Sequence, residues 1–280
     1  MARKRATITD LLNDLTFRTI YDKFKLLATS AFMWEGLPEG IEEKHLERFL
    51  FDHGKAVFFR DPGMSYMALE AQDTGKMNVY GDPLFYRATG FNYSRQLKAD
   101  ECVIIENNPL RLSTHNFVMF YTNKLTEAER TMDVNVKTNK APFIFACDEK
   151  NLLTVKRMFQ QIDGNTPALY LDKGINLDDI AVLQTGVKFL GNDLQDYKKS
   201  VENELLTFLG YNNLAVDKKE RVNLSEANSN NQLTQSFADL QLNSRKLAAD
   251  RINDMFGLSI SVKRREPVER GVENVEINPV

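Results

Sequence analysis

The side chains best able to do chemistry are few and scattered. His45 and His53 lie eight positions apart and His115 stands alone. A metal site needs three or four converging ligands. No Cys, Asp or Glu sits at useful spacing from these histidines, so they read as ordinary surface or core residues. Cys102 precedes Val103-Ile104-Ile105 and Cys147 follows Phe143-Ile144-Phe145, the setting of small apolar residues on strands. Glu42-Glu43 and Asp178-Asp179 are adjacent carboxylates. Neighbours in sequence do not share a helix face, and a metal-dependent nuclease needs carboxylates that converge. The chain contains no GxxxxGK[ST] phosphate loop, no GxGxxG turn, no HExxH and no CxxC pair. The expectation is a protein with no catalytic residue, no metal and no cofactor, that is, not an enzyme.

The composition agrees with a folded chain. Its 280 residues carry 36 Lys+Arg against 39 Asp+Glu, a net charge of −3, with 42% hydrophobic and 27% charged residues. These proportions exclude disorder throughout and fit one large domain or two smaller ones. No run approaches the roughly 20 apolar residues of a membrane span, so no membrane partner is expected. Residues 1–14 are basic at Arg3-Lys4-Arg5 and then polar, without the apolar core of a signal peptide. Two cysteines fit a reducing cytoplasm. The weakly acidic balance argues against coating nucleic acid by charge alone.

The elements follow from periodicity and punctuation. Ile8, Leu11, Leu12, Leu15, Ile20, Phe24, Leu27 and Ala31 predict a helix over 8–33, and a second helix is expected over 42–51. Strands are expected at 55–60 and 102–105, with a turn at Asp61-Pro62-Gly63 and mixed aromatic and polar positions over 64–100. Thr126 with Glu129 reads as a capping box, so a helix is predicted to begin there. Residues 141–186 read as a small α+β insert, with strands at 143–147, 168–171 and 180–184 and a short helix over 152–159. Leu190, Leu194, Tyr197, Val201, Leu205 and Phe208 then form one narrow helical stripe that stops at Gly210. This helix is predicted to return antiparallel to the one starting near Thr126. A long helical pair with a compact tip suits a subunit that packs beside copies of itself. Residues 223–236 are dominated by Asn, Ser and Gln, the composition of a mobile loop. A last helix is expected through Leu240, Leu247, Ala248, Ile252 and Phe256, then a strand over 258–263. The polar tail after Arg265 is expected to fray.

Several blocks resemble the portal proteins, also called upper collar or head–tail connector proteins, of small short-tailed, protein-primed phages. They are Met1-Ala2-Arg3-Lys4-Arg5, Phe32-Met33-Trp34-Glu35-Gly36-Leu37-Pro38, Val57-Phe58-Phe59-Arg60-Asp61-Pro62 with Ser65-Tyr66, and Asn203-Glu204-Leu205-Leu206-Thr207-Phe208-Leu209-Gly210. Asp217-Lys218-Lys219-Glu220-Arg221 before the Asn/Ser-rich stretch belongs with them, as does Arg251-Ile252-Asn253-Asp254-Met255-Phe256-Gly257-Leu258. The blocks run in order over nearly the whole chain.

The resemblance implies an α+β, mainly helical portal fold with a wing, an antiparallel helical stem and a small SH3-like clip. The wing would begin with 1–122, the stem helices would be 123–140 and 187–210, and the clip 141–186. A channel loop region would span 211–243, and a C-terminal wing or crown part 244–280. It implies a homododecamer at one capsid vertex, a channel for packaging and ejecting double-stranded DNA. Its partners would be the major capsid and scaffolding proteins, a separate packaging ATPase and lower collar or tail proteins. The setting would be the virion, with assembly in the host cytoplasm. Twelve subunits of charge −3 total −36, a mostly repulsive wall that lets a polyanion slide. Sparse cationic contacts are expected at Lys198 or Lys199 and at Lys218, Lys219 and Arg221, with polar loop contacts at Asn228, Ser229, Asn230 and Asn231. Arg3, Lys4 and Arg5 would touch nucleic acid in the packaging motor. Two other readings are a sequence-independent DNA-binding phage accessory protein, which would share the basic clusters and polar loop, and a neck or tail adaptor ring.

Overall fold

The computed structural model describes residues 8–140, 143–147, 153, 180–184, 188–212 and 224–265. The chain divides into two compact units. One comprises Met1–Ile20 and Tyr121–Glu204, the other Tyr21–Phe120 and Leu205–Val280.

The second unit is organised by a five-stranded antiparallel sheet. Its strands are β2 (Lys55–Asp61), β3 (Ser65–Met77), β4 (Pro83–Gly90), β5 (Tyr93–Lys98) and β6 (Cys102–Glu106), in the order β5-β4-β3-β2-β6. The expected strands at 55–60 and 102–105 are β2 and β6, paired from Lys55↔Glu106 to Phe59↔Cys102. Residues 64–100, unassigned by periodicity, form three strands. Their alternation is blurred because the outward positions carry aromatic and aliphatic groups as well as polar ones.

β2 is a continuous apolar run because it is buried on both faces. Ala56 and Phe58 face one core with Trp34, Leu46, Leu50, Val103, Ile105 and Ile252. Val57 and Phe59 face another with Ala71, Tyr86, Ala88, Leu97 and Cys102. The first core is closed by helix α2 (Glu43–His53), by helix α5 (Leu224–Phe256) and by a two-stranded antiparallel ladder of β1 (Phe32–Glu35) with β9 (Ser261–Arg264). Helix α1 (Ile8–Thr29) therefore ends earlier than the apolar spacing suggests. Phe32 and Met33, expected as the end of the helix, instead pair with Arg264 and Lys263. Gly54 ends α2 at φ 77°, and a Cβ there would lie 2.1 Å from the Arg111 carbonyl oxygen, so only glycine fits.

One expectation needs correction in this part of the chain. Residues 224–236, expected as a loop, are the opening turns of α5. Thr234 and Ala238 are buried, and the missing Cβ of Gly210 (φ 78°) lets Ala238 approach. Leu240 and Leu247 on the expected helix are exposed, whereas Ala248 and Ile252 are buried with Ser244, Arg245 and Ala249.

In the first unit, β7 (Phe143–Cys147) pairs antiparallel with β8 (Ile180–Gln184), from Phe143↔Gln184 to Cys147↔Ile180. The other elements expected in 141–186 lie outside the described residues. Helix α3 (Thr114–Lys140) crosses the boundary between the units, as does α4 (Gly191–Phe208). α3 starts twelve residues before Thr126, so the capping-box reading is wrong. Val118 and Leu125 are buried and carry the helical pattern back past Thr126, whose hydroxyl donates to the Thr122 carbonyl at 2.7 Å. Thr131 and Thr138 bond back one turn in the same way, as mid-helix threonines do.

Candidate nucleic-acid interface

Within the first unit α3 and α4 run antiparallel, and three side-chain contacts fix their register. Tyr121 hydrogen-bonds Glu204, Glu129 forms an ion pair with Lys198, and Asn135 holds the approach to α4. The Asn135 amide nitrogen donates to the Lys188 carbonyl at 2.9 Å, and its oxygen accepts from the Leu190 N–H at 3.0 Å. Asn135 is buried and uses both ends of its amide. The N–H of a first-turn flanking residue, which no helical carbonyl can reach, thereby gains a partner.

This pair carries two of the residues expected at a DNA channel. Lys198 is half-buried, its charge matched by Glu129. Lys199 is exposed on the next position. The stripe on α4 is graded: Val201 and Leu205 are buried, whereas Leu190 and Tyr197 are 42% and 50% exposed.

The end of α4 lies in the second unit. Phe208 stacks on Phe117 with ring centroids 4.2 Å apart and meets Phe237 of α5 at 5.5 Å. Gly210 reverses the chain. Its carbonyl accepts a hydrogen bond from the Arg264 guanidinium, and the Tyr211 hydroxyl donates to the Leu27 carbonyl at 2.7 Å. A cavity of about 720 Å³ opens beside this turn, lined by Tyr211, Asn231, Thr234, Gln235, Arg264 and Arg265 among others. Arg265 donates to the Ser30 carbonyl and pairs with Glu43. Both arginines thus act as struts between segments.

Asn228, Ser229, Asn230 and Asn231 belong to α5. Of their side chains only that of Asn231 is described, half-buried at the cavity. Lys218, Lys219, Arg221, Arg3, Lys4 and Arg5 lie outside the described residues.

The sequence reading missed a buried polar centre. Arg245, on α5, is 2% exposed. Its Nε and Nη2 donate to the two Glu47 oxygens at 2.9 and 2.7 Å. Nη1 donates to the Asn107 and Gln241 carbonyls, and Nη2 also to Asn107 Oδ1 at 3.0 Å. All five guanidinium N–H groups are used. The Trp34 indole N–H adds a bond to Glu47 at 2.7 Å, and the guanidinium lies 4.1 Å over the Phe32 ring. The available signal was Arg245 itself, a cation inside a buried stretch of helix. A lone arginine does not show its partner, because Glu47 and Asn107 come from distant segments.

Burial pushes the Cys102 thiol up to about 12, with Glu101 and Asp100 adding to it, the opposite of a reactive thiolate. The Tyr21 hydroxyl hydrogen-bonds His115 Nδ1 at 2.6 Å. Among the described residues no group of three or more His, Cys, Asp or Glu could hold a metal, and no helix is long and apolar enough to cross a membrane.

The sequence matches the family model described as Phage Connector (GP10) over residues 3–269. The chain belongs to the phage connector family. The portal protein of Staphylococcus phage 44AHJD is 27% identical over 148 residues, 51% of this chain and 59% of that protein. The chain thus matches less than two thirds of that relative's length. A chain from the portal and tail of native bacteriophage P68 superposes with a TM-score of 0.50 at 18% identity, covering 96% of this chain and 94% of that one. At that identity the likeness concerns the fold, and the fold is that of phage portal proteins, α+β as expected. In this connector the helical pair α3–α4, the Gly210 turn and the start of α5 are the described elements that bear or flank every expected channel residue.

Proposed function

We propose that this connector is the portal subunit of a phage. Twelve copies form a ring at one capsid vertex, and double-stranded DNA enters and leaves through its centre. The observation that carries this reading is family membership over residues 3–269, together with a portal-type fold along 96% of the chain. The α3–α4 pair is read as the stem, the β7–β8 segment as part of the clip, and the sheet with α2 and α5 as the wing.

The charge distribution supports a conduit. Duplex DNA carries one charge per about 1.7 Å of axis, and a strongly basic wall would bind it through counterion release. A subunit of net charge −3 whose Lys198 is already paired with Glu129 presents little such grip. Lys199 and the cluster Lys218, Lys219 and Arg221 are the sparse contacts, with the Asn/Ser-rich start of α5 beside them. Such contacts reach phosphates and carry no base readout. Arg3, Lys4 and Arg5 are assigned to the packaging motor. The chain has no phosphate loop, so the energy for packaging comes from a separate ATPase. The capsid, scaffolding and lower collar or tail proteins complete the set of partners, in the virion.

Gold-labelled antibody against the chain, applied to opened virions, tests this reading. One cluster of label per particle, at the tail-bearing vertex, is expected. Label spread over the shell, or absent from particles, overturns it.

A further inference from the structure

The five-stranded sheet ends in two features that fit each other and cannot meet within one chain. At one end the β3–β4 turn presents Val79 and Tyr80, 93% and 88% exposed. This tip is rigid. Asn78 Oδ1 accepts from the N–H groups of Tyr80 and Asp82 at 2.9 and 2.8 Å, the Asn78 N–H donates to the Asp82 carbonyl at 2.8 Å, and Arg111 holds Asp82 at 3.3 Å. The turn that carries these two large apolar side chains is therefore ordered at its backbone, which lowers the ordering cost on binding.

At the other end lies a slot of about 250 Å³ between α2 and the start of β3, where Glu42 and His45 stand beside apolar groups. Ile41, Leu46, Phe49, Ala68 and Leu69 line it, and Phe91, 97% exposed, forms its rim. It has room for one aromatic side chain. The eight residue steps from Leu69 to Met77 span about 27 Å of strand at about 3.4 Å each, so a chain cannot fill its own slot.

We propose that the occupant is a second copy of this chain: Val79 and Tyr80 of one subunit seat in the slot of the next. This rests on the ring reading above and names the surface that closes the ring. Tip and slot are different patches of one molecule, which gives a head-to-tail contact that propagates until a rotation closes it. The charges agree. Lys76 is exposed just before the tip, and Glu42, whose partner is its exposed neighbour Lys44, stands at the mouth of the slot.

The test uses the full chain. Tyr80→Cys and Ile41→Cys are made together in one chain and singly in two, and all are treated with a mild thiol oxidant beside the parent. Cys102 is buried, and the parent reports any background from Cys147. The double variant is expected to give a covalent ladder, and an equimolar mixture of the single variants to give dimers and nothing larger. The V79S/Y80S chain is expected to need about tenfold more protein for half-assembly, with its secondary structure by circular dichroism unchanged. If the parent assembles but the double variant cross-links no more than the parent does, or V79S/Y80S assembles at the parent's concentration, this inference is overturned and the ring reading stands. If the parent is a single subunit at every concentration, the ring reading falls and takes this contact with it.

Discussion

Glu47 and Arg245 are 198 residues apart in sequence and meet as a bidentate ion pair at 2.7 and 2.9 Å. The pair ties α2 to α5, and Asn107, bonded to the same guanidinium, adds the end of β6. Asn107 in turn donates to the Leu112 carbonyl and to Thr114 Oγ1. A single buried cation thus joins the last long helix to the sheet and to the start of α3.

Removing one partner leaves the other buried and uncompensated. Glu47→Ala or Arg245→Ala is expected to cost about 3–5 kcal/mol, read by urea unfolding of the unassembled chain. In the double variant the loss is expected to be well below the sum of the two. Additive losses, or a single loss under about 1 kcal/mol, would show that the pair does not hold the unit together.

Asn135 fixes the register of the helical pair. In Asn135→Ala the Lys188 carbonyl and the Leu190 N–H lose their partners, at about 1–3 kcal/mol. Faster amide hydrogen exchange over 188–194 is the expected signature, with the sheet of the second unit unaffected. Unchanged exchange at Leu190 would contradict the assignment.

Tyr21 gives the protein an alkaline limit. Burial, then the carboxylates of Asp52 and Asp22, push its hydroxyl up to about 12 from an ordinary value of 10.0. The folded chain holds this proton more tightly than the unfolded chain. The stabilisation is complete below pH 10.0 and drains as pH rises toward about 12. Tyr21→Phe has no proton to lose, so its stability should fall less steeply over that window than the parent's. Equal slopes would show that Tyr21 does not set this limit. Tyr86, Tyr93, Tyr121 and Tyr211 are raised in the same direction, so some slope remains.

Lys218, Lys219 and Arg221 should set how firmly DNA is retained. Their joint replacement by alanine is expected to leave assembly intact and to weaken binding of duplex DNA. The dependence of binding on salt should flatten in proportion to the number of phosphates no longer neutralised. An unchanged salt slope would remove these residues from the channel.

Local chemistry was legible where one residue decides the geometry. Gly210 and Gly257 stop helices at φ 78° and 66°, Asp61-Pro62-Gly63 turns the chain between β2 and β3, and the run from Ala56 to Phe59 is a strand. The antiparallel return of the 190–208 helix was also readable from its stripe. Boundaries failed where tertiary contacts overrode local pattern. Phe32 and Met33 are pulled from helix into strand by partners at Arg264 and Lys263. Residues 224–236 open a helix whose next turn brings Ala238 against Gly210, a contact invisible in their own composition. The Arg245 centre was illegible for the same reason: Glu47, Asn107 and Trp34 are brought to it only by the fold.

Assembly is the central claim, and direct imaging of the purified chain reads it. Negative-stain electron microscopy is predicted to show rings with a central hole wide enough for duplex DNA. A homogeneous population of compact single subunits, unchanged on concentration, would contradict the account.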